Sequence, residues 1–191
     1  NALRKKYGEF DSIVVEMARD KNSVEQKKRI KDYQKIRENG SKEMDKMLLE
    51  KGYDPSEING KTRMKISLYL QQEGKSAYTF KTLKLNRIIK EPKYTEIDHI
   101  IPISISLDDS QNNKVLALSS ENRAKDNLTP FMAYAANKFN EKGCSYSEFK
   151  TSVLSNKNIP YKKKLNLLNE ENITREVVAK KFINRNLVDT R

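Results

Sequence analysis

The pattern of hydrophobic and polar positions is most informative between residues 94 and 125. Isoleucines set among ionisable residues at 96–101, followed by Pro102, predict a β-strand that ends near the proline, because β-branched residues favour extended backbone. Residues 106–113 read SLDDSQNN, and these side chains readily hydrogen-bond their own backbone in turns. The chain is therefore predicted to loop out after the first strand and return.

The returning segment predicts a second strand and then a helix. Residues 114–118 read KVLAL, a short apolar run that suits a strand. Ser119 and Ser120 are predicted N-cap residues for a helix over 121–125, which has an acid in its first turn. The predicted unit is strand, loop, strand, helix.

The segments before this unit predict helices. Residues 20–51 are charge-rich and helical in composition, with a capping box at 23–26 and a break at Gly40-Ser41. A thin apolar stripe predicts a solvent-exposed connector; it consists of Ile30, Tyr33 and Ile36. Residues 62–72 predict a helix that Gly74 closes.

The segments after the unit predict further helices and hence an α+β fold class. A helix is predicted to start at Thr129-Pro130, and another is predicted over residues 145–155. A further segment is predicted at 159–168, and Thr174 is the predicted cap of the last helix. The aromatic residues of the segment that starts at Thr129-Pro130 are predicted to be core: Phe131, Tyr134 and Phe139. Leu83, Leu85, Ile88 and Ile89 are predicted to pack beneath the central unit.

Charge points to a polyanionic partner. Lys and Arg number 38 against 26 Asp and Glu, a net charge of +12 that favours nucleic acid through counterion release. Lys162, Lys163 and Lys164 form the candidate phosphate-contacting patch, with a solvated helix face as the alternative. A mean hydropathy of −0.85 allows one modest core and leaves much surface exposed to solvent.

The single cysteine narrows the class of protein. Cys144 alone excludes an internal disulfide and a cysteine zinc site, and we expect an intracellular protein. No apolar run approaches the roughly 18 residues of a membrane helix, and no signal peptide is visible, so no membrane partner is expected. The chain starts at Asn1 without a methionine and stops at Arg191, so we expect a segment of a longer protein.

The central unit also carries the candidate chemistry. Its helix can return Asn122 to the neighbourhood of Asp98 and His99 on the first strand. A carboxylate and an amide oxygen suit Mg²⁺, and a neighbouring imidazole can take a proton from water near neutral pH. This combination supports phosphodiester hydrolysis. An ordinary Asp–His hydrogen bond and a local cap at Asn122 are the alternatives.

Three segments stand in a fixed order around the candidate chemistry: DHIIP at 98–102, NNKVL at 112–116 and NLTPF at 127–131. Together they resemble the motif of the HNH nucleases, and more narrowly the HNH domain of the RNA-guided type II CRISPR effector nucleases, the Cas9 family. Asn113 and Asn122 follow His99 by fourteen and twenty-three residues, as the family pattern requires.

The HNH resemblance implies a ββα-metal (His-Me finger) core surrounded by helices. It also implies Asp98 and Asn122 as metal ligands and His99 as the general base. For Asn113, direct catalysis and bracing of the loop are both open. Ser76 stands where many family members carry a cysteine.

A second resemblance flanks the first. IVVEMAR at 13–19 is similar to the family's second RuvC motif, which implies that Glu16 binds metal in a separate site present only in the full-length protein. The implied order is a RuvC fragment at 1–19, a helical linker at 20–57, the HNH domain at 58–170 and a return linker at 171–191.

The resemblance implies a Mg²⁺-dependent endonuclease of the prokaryotic cytoplasm, with Mn²⁺ as a substitute, that cuts the DNA strand paired with a guide RNA. Its implied partners are the RNA–DNA heteroduplex, the guide RNA through the full-length protein, and a protein inhibitor of the anti-CRISPR kind. Two alternative hypotheses are a free-standing homing or restriction HNH endonuclease, and a basic module that binds nucleic acid or a protein partner and does not cut DNA.

Overall fold

The computed structural model describes residues 5–6, 8, 23–139 and 144–171, so Glu16 and Thr174 lie outside the described residues. The chain divides into two compact units, Asn1–Met47 and Leu48–Arg191. The strands are β1 (Thr95–His99) and β2 (Lys114–Leu118). The helices are α1 (Val24–Glu50), α2 (Gly60–Gln71), α3 (Leu85–Lys90), α4 (Ile103–Ser106), α5 (Ser119–Lys125), α6 (Pro130–Ala135), α7 (Tyr146–Ser155) and α8 (Tyr161–Leu167), with short 3-10 helices at Pro55–Glu57 and Gln111–Asn113.

Helix α1 begins where its capping box predicts. The Ser23 hydroxyl accepts from the Gln26 backbone N–H at 3.1 Å, and the Gln26 side chain accepts from the Ser23 N–H at 2.9 Å. The predicted break at Gly40-Ser41 is wrong, because α1 continues to Glu50. A solvent-exposed glycine costs about 1 kcal/mol relative to alanine, which does not stop a helix that is already nucleated.

The two strands pair antiparallel and confirm the predicted unit. Asp98 lies opposite Val115 and His99 opposite Lys114. One detail of the prediction is wrong. Ser119 lies inside α5, where its hydroxyl donates to the Lys93 carbonyl at 2.5 Å instead of capping the helix.

Aromatic side chains form the centre of the core, as predicted. Tyr78 stacks on Phe139 with ring centroids 5.4 Å apart, and Tyr134 packs against Phe139 at 4.9 Å and Phe149 at 5.1 Å. Phe139 reaches this cluster from the turn after α6, which ends at Ala135. Leu83, Leu85 and Ile88 are buried, as the sequence predicts.

The cap of α6 matches the prediction, and α7 begins with a cap that was not predicted. Thr129 accepts from the Met132 N–H at the start of α6, and Ser145 and Glu148 form a capping box at the start of α7. Within the described residues, no helix combines the length and the apolar character needed to cross a membrane.

Candidate functional site

Asp98, near the end of β1, is held by two donors. Tyr78 donates its hydroxyl to Oδ2, and the Lys125 Nζ lies 2.9 Å from the same oxygen. Lys125 is 1% exposed and also donates to the His99 carbonyl at 2.9 Å. Burial lowers the pKa of Lys125, and the Asp98 carboxylate opposes that shift. The Lys125 ammonium therefore balances the negative charge of Asp98.

His99 is oriented by the loop that follows it. Its Nε2 lies 2.9 Å from Asp109 Oδ1, and the Lys114 Nζ lies 2.8 Å from the same oxygen. Hydrogen bonds from Lys114 and then from His99 hold the pKa of Asp109 below its usual value. Within residues 23–139 and 144–171, the Nδ1 atom of His99 has no hydrogen-bond partner. An acceptor at Nε2 places the imidazole proton there, which leaves the Nδ1 lone pair free.

Asn122 lies on the first turn of α5 and contacts β1. Its Nδ2 donates to Glu96 Oε2 at 2.6 Å. Its Oδ1 has no partner among the residues that the structure describes. The amide oxygen, which is the atom a metal would need, is thus available.

Asn113 is completely buried and braces the turn after His99. Its Oδ1 accepts from the Ile101 N–H at 2.9 Å, while its Nδ2 donates to the carbonyls of Ile101 at 2.8 Å and Asp108 at 2.9 Å. These contacts are the ones that the bracing interpretation predicts. Both polar atoms of the side chain serve the loop backbone.

A buried carboxylate anchors α5 to the segment before the sheet. Glu121 is fully buried and accepts hydrogen bonds from the hydroxyls of Ser76 and Thr79. Ser76 also accepts from the Leu118 N–H at 3.1 Å, which ties the end of β2 to the same point. This network positions the helix that bears Asn122 and Lys125.

The predicted lysine patch is wrong as a single phosphate-contacting surface. Successive residues of a helix point about 100° apart, so three consecutive lysines cannot share one face. Lys163 is 2% exposed and donates to Gln71 Oε1, while Lys164 donates to the Leu154 carbonyl at 2.8 Å. Of the three side chains, that of Lys162 is exposed.

Replacing Lys163 by methionine should raise the free energy of unfolding by about 1–3 kcal/mol at pH 7. Burial lowers the pKa of Lys163 to about 8 from an ordinary 10.5, so the folded chain holds a buried ammonium below pH 8. Between pH 8 and 10.5, Lys163 is protonated in the unfolded chain and neutral in the folded chain, so the free energy of unfolding of the unsubstituted chain rises with pH. The stability gained by Lys163→Met should therefore shrink as the pH rises.

Denaturant titrations at pH 7 and pH 10 measure this effect. Lys162→Met, at an exposed position of the same helix, is the matched control and should leave stability within about 0.5 kcal/mol. A loss of stability for Lys163→Met at pH 7 would contradict the prediction.

Several residues at the site were not predicted from the sequence. Lys125 lies three residues after Asn122 on the same helix face, and Glu96 lies two before Asp98 on the same strand face, so helix and strand periodicity could have indicated both. Tyr78 carries no such signal, because its contact with Asp98 spans 20 residues and depends on the tertiary fold.

The donor atoms fit a hard divalent cation. Asp98 offers a carboxylate and Asn122 an amide oxygen, and Mg²⁺ is typically held by one or two carboxylates while it keeps several waters. In the described part of the chain, no group of three or more His, Cys, Asp or Glu side chains is placed to hold a metal. Asp98 and Asn122 would supply two oxygen ligands, and water would supply the others.

Comparisons with known proteins bear on this region and on the whole chain. A family model described as HNH endonuclease matches residues 76–131. The chain is 39% identical over 204 residues to CRISPR-associated endonuclease Cas9 1 of Streptococcus thermophilus, covering 100% of this chain and 17% of the relative. It is 39% identical over 199 residues to Cas9 of Staphylococcus aureus, covering 100% of this chain and 18% of the relative.

Solved structures give the same result for the fold. Streptococcus thermophilus Cas9 in complex with the AGGA PAM superposes with a TM-score of 0.75 at 35% identity, covering 100% of this chain and 18% of that chain. The complex with the GGAA PAM gives a TM-score of 0.74 at 34% identity over 92% of this chain and 18% of that chain. The chain thus spans less than a fifth of the length of these relatives.

Proposed function

We propose, from the premise that this chain is an HNH nuclease region of the Cas9 family of CRISPR-associated endonucleases, that it hydrolyses phosphodiester bonds in the DNA strand paired with a guide RNA. The packing of α5 on β1 is the observation that carries the proposal. Lys125 contacts Asp98 and Asn122 contacts Glu96, so the amide of Asn122 lies beside the strand that ends in Asp98 and His99.

His99 is the general base in this proposal. Asp109 accepts at Nε2, which leaves Nδ1 to take a proton from the attacking water. Lys114 holds Asp109 in place through the same carboxylate oxygen. The ring is therefore held in one tautomer and in one orientation by contacts within the domain.

Asp98 and Asn122 are the residues that would hold the divalent cation, for which we propose Mg²⁺ with Mn²⁺ as a substitute. When bound there, the cation offsets the charge that develops on the phosphate. The chain contributes orientation: Tyr78 and Lys125 fix the Asp98 carboxylate, and Asn113 fixes the turn that follows His99.

The proposed substrate is consistent with the charge of the chain. A net charge of +12 favours binding to a polyanion, and such binding weakens steeply with added salt. The rest of the longer protein is proposed to hold the guide RNA, so the HNH region meets a heteroduplex recognised by its shape and backbone.

Strand-specific cleavage tests the proposal. In the guide-loaded longer nuclease, with each DNA strand labelled separately, Asn122→Ala should slow Mg²⁺-dependent cutting of the guide-paired strand by at least about 10-fold. The exposed Asn127 provides the matched control, and Asn127→Ala should cut at the unsubstituted rate.

Two results would contradict the proposal. Cutting of the guide-paired strand that survives a chelator would exclude the metal role of the site. DNA binding without any cutting by the unsubstituted protein would favour the module that binds nucleic acid and does not cleave it.

A further inference from the structure

The hydrogen bond between Asn122 and Glu96 determines which atom of the asparagine amide is available. A carboxamide presents an oxygen or an NH₂ group in nearly the same shape, and only the oxygen can ligate a cation. Glu96 is a carboxylate and can only accept, so its Oε2, 2.6 Å away, selects the Nδ2 atom. The Oδ1 atom must then point to the opposite side of the amide.

The backbone makes this contact part of a pair. Glu96 and Asp98 are two residues apart on β1, and Asn122 and Lys125 are three apart on α5, so each pair shares one face of its element. Glu96 contacts Asn122 while Asp98 contacts Lys125 at 2.9 Å. The helix is thereby tied to the strand at two successive points, of which Glu96 supplies the one nearer the helix start.

We propose that Glu96 is a positioning residue that holds the Asn122 amide with Oδ1 presented as a metal ligand, an inference that rests on the proposed function. Glu96 is partly exposed and Asn122 is partly exposed, so neither is needed to fill the core. A charge-assisted hydrogen bond of this length is about twice as strong as a neutral one, which suits a role in holding one amide orientation.

The hydrogen bond itself can be tested on the 191-residue chain without any metal-dependent reaction. In an NMR spectrum of the side-chain amides, the Asn122 NH₂ protons should be widely separated in shift and slow to exchange. Glu96→Ala should collapse that separation, and Glu96→Gln, which keeps an acceptor oxygen, should retain part of it. Glu91→Ala, at the exposed carboxylate that pairs with Arg87, is the control and should change nothing.

Measurements of metal affinity distinguish a Glu96 that positions Asn122 from a Glu96 that attracts the cation by its own charge. Titration of the chain with Mn²⁺ and then Mg²⁺ should show Glu96→Ala binding about 10-fold more weakly, the usual effect of losing an outer hydrogen-bond partner. In an Asn122→Ala background the same change should have little further effect, because Glu96 acts through Asn122. Glu96→Gln should fall between Glu96→Ala and the unsubstituted chain.

Each outcome has a distinct meaning. Additive losses in the double variant would overturn the positioning role and make Glu96 an independent ligand or charge. An Asn122 amide signal unchanged by Glu96→Ala would overturn it as well. If the unsubstituted chain binds neither ion while the amide signal responds to Glu96→Ala, the metal-site part of the proposed function fails, and the inferred hydrogen bond stands without its metal-presenting role.

Discussion

Replacing His99 by alanine should lower the rate of Mg²⁺-dependent DNA cleavage by roughly 10²- to 10⁴-fold, the usual contribution of a positioned general base. His99 is the only histidine of the 191 residues. The side chain is not part of the apolar core, and DNA affinity, which depends mainly on the basic surface, should change little. Single-turnover cleavage and a binding titration at the same salt concentration measure the two effects.

Chemical rescue makes the His99 test sharper. The His99 side chain is 25% exposed, so the space left by alanine should admit imidazole from solution. Added imidazole should restore part of the activity of His99→Ala and none in Asn122→Ala. A His99→Ala protein that cuts at the unsubstituted rate would show that the base is another group.

Replacing Lys125 by methionine should destabilise the chain by about 3 kcal/mol in the presence of a chelator, because it leaves the Asp98 carboxylate without its cation inside the fold. Lys125 also donates to the His99 carbonyl, and that oxygen loses its partner in the variant. Mg²⁺ should recover part of the loss, because an ion that binds only the folded chain stabilises it by mass action. Denaturant titrations with chelator and with Mg²⁺ measure the loss of stability and its partial recovery.

The control for Lys125→Met is Lys162→Met, which makes the same chemical change at an exposed position. Mg²⁺ should stabilise Lys162→Met no more than it stabilises the unsubstituted chain, and less than it stabilises Lys125→Met, because Asp98 still has Lys125 as its cation. If Lys125→Met were as stable as the unsubstituted chain in chelator, the ion pair with Asp98 would contribute nothing to the fold. If Mg²⁺ stabilised both variants equally, the ion would not be acting at Asp98.

Local signals along the sequence were sufficient for most elements of the fold. Both strands, the caps at Ser23, Thr129 and Ser145, and the helix after β2 follow from side chains within a few residues of each other. Two local predictions are wrong because other contacts outweigh a residue's usual preference. Gly40 does not end α1, and the Ser119 hydroxyl donates to the Lys93 carbonyl instead of capping α5.

The candidate site was predictable in part for the same reason. Asp98, His99 and Asn122 stand at a spacing that the strand, loop, strand, helix unit brings together, and the HNH resemblance implies the roles that we propose for them. The lysines at 162–164 do not share the one surface that the sequence predicts, because composition does not reveal which helix face is buried. The sequence allows two roles for Asn113, and its buried contacts favour bracing of the loop.

The sequence by itself determined the local unit, its apolar face and the three residues of the motif, because these depend on backbone preference and periodicity over short distances. Only the tertiary structure decided which partners hold them. Tyr78 meets Asp98 across 20 residues, and Ser76 meets Glu121 across 45. Such contacts follow from how the helices pack on the sheet, and no local pattern encodes that packing.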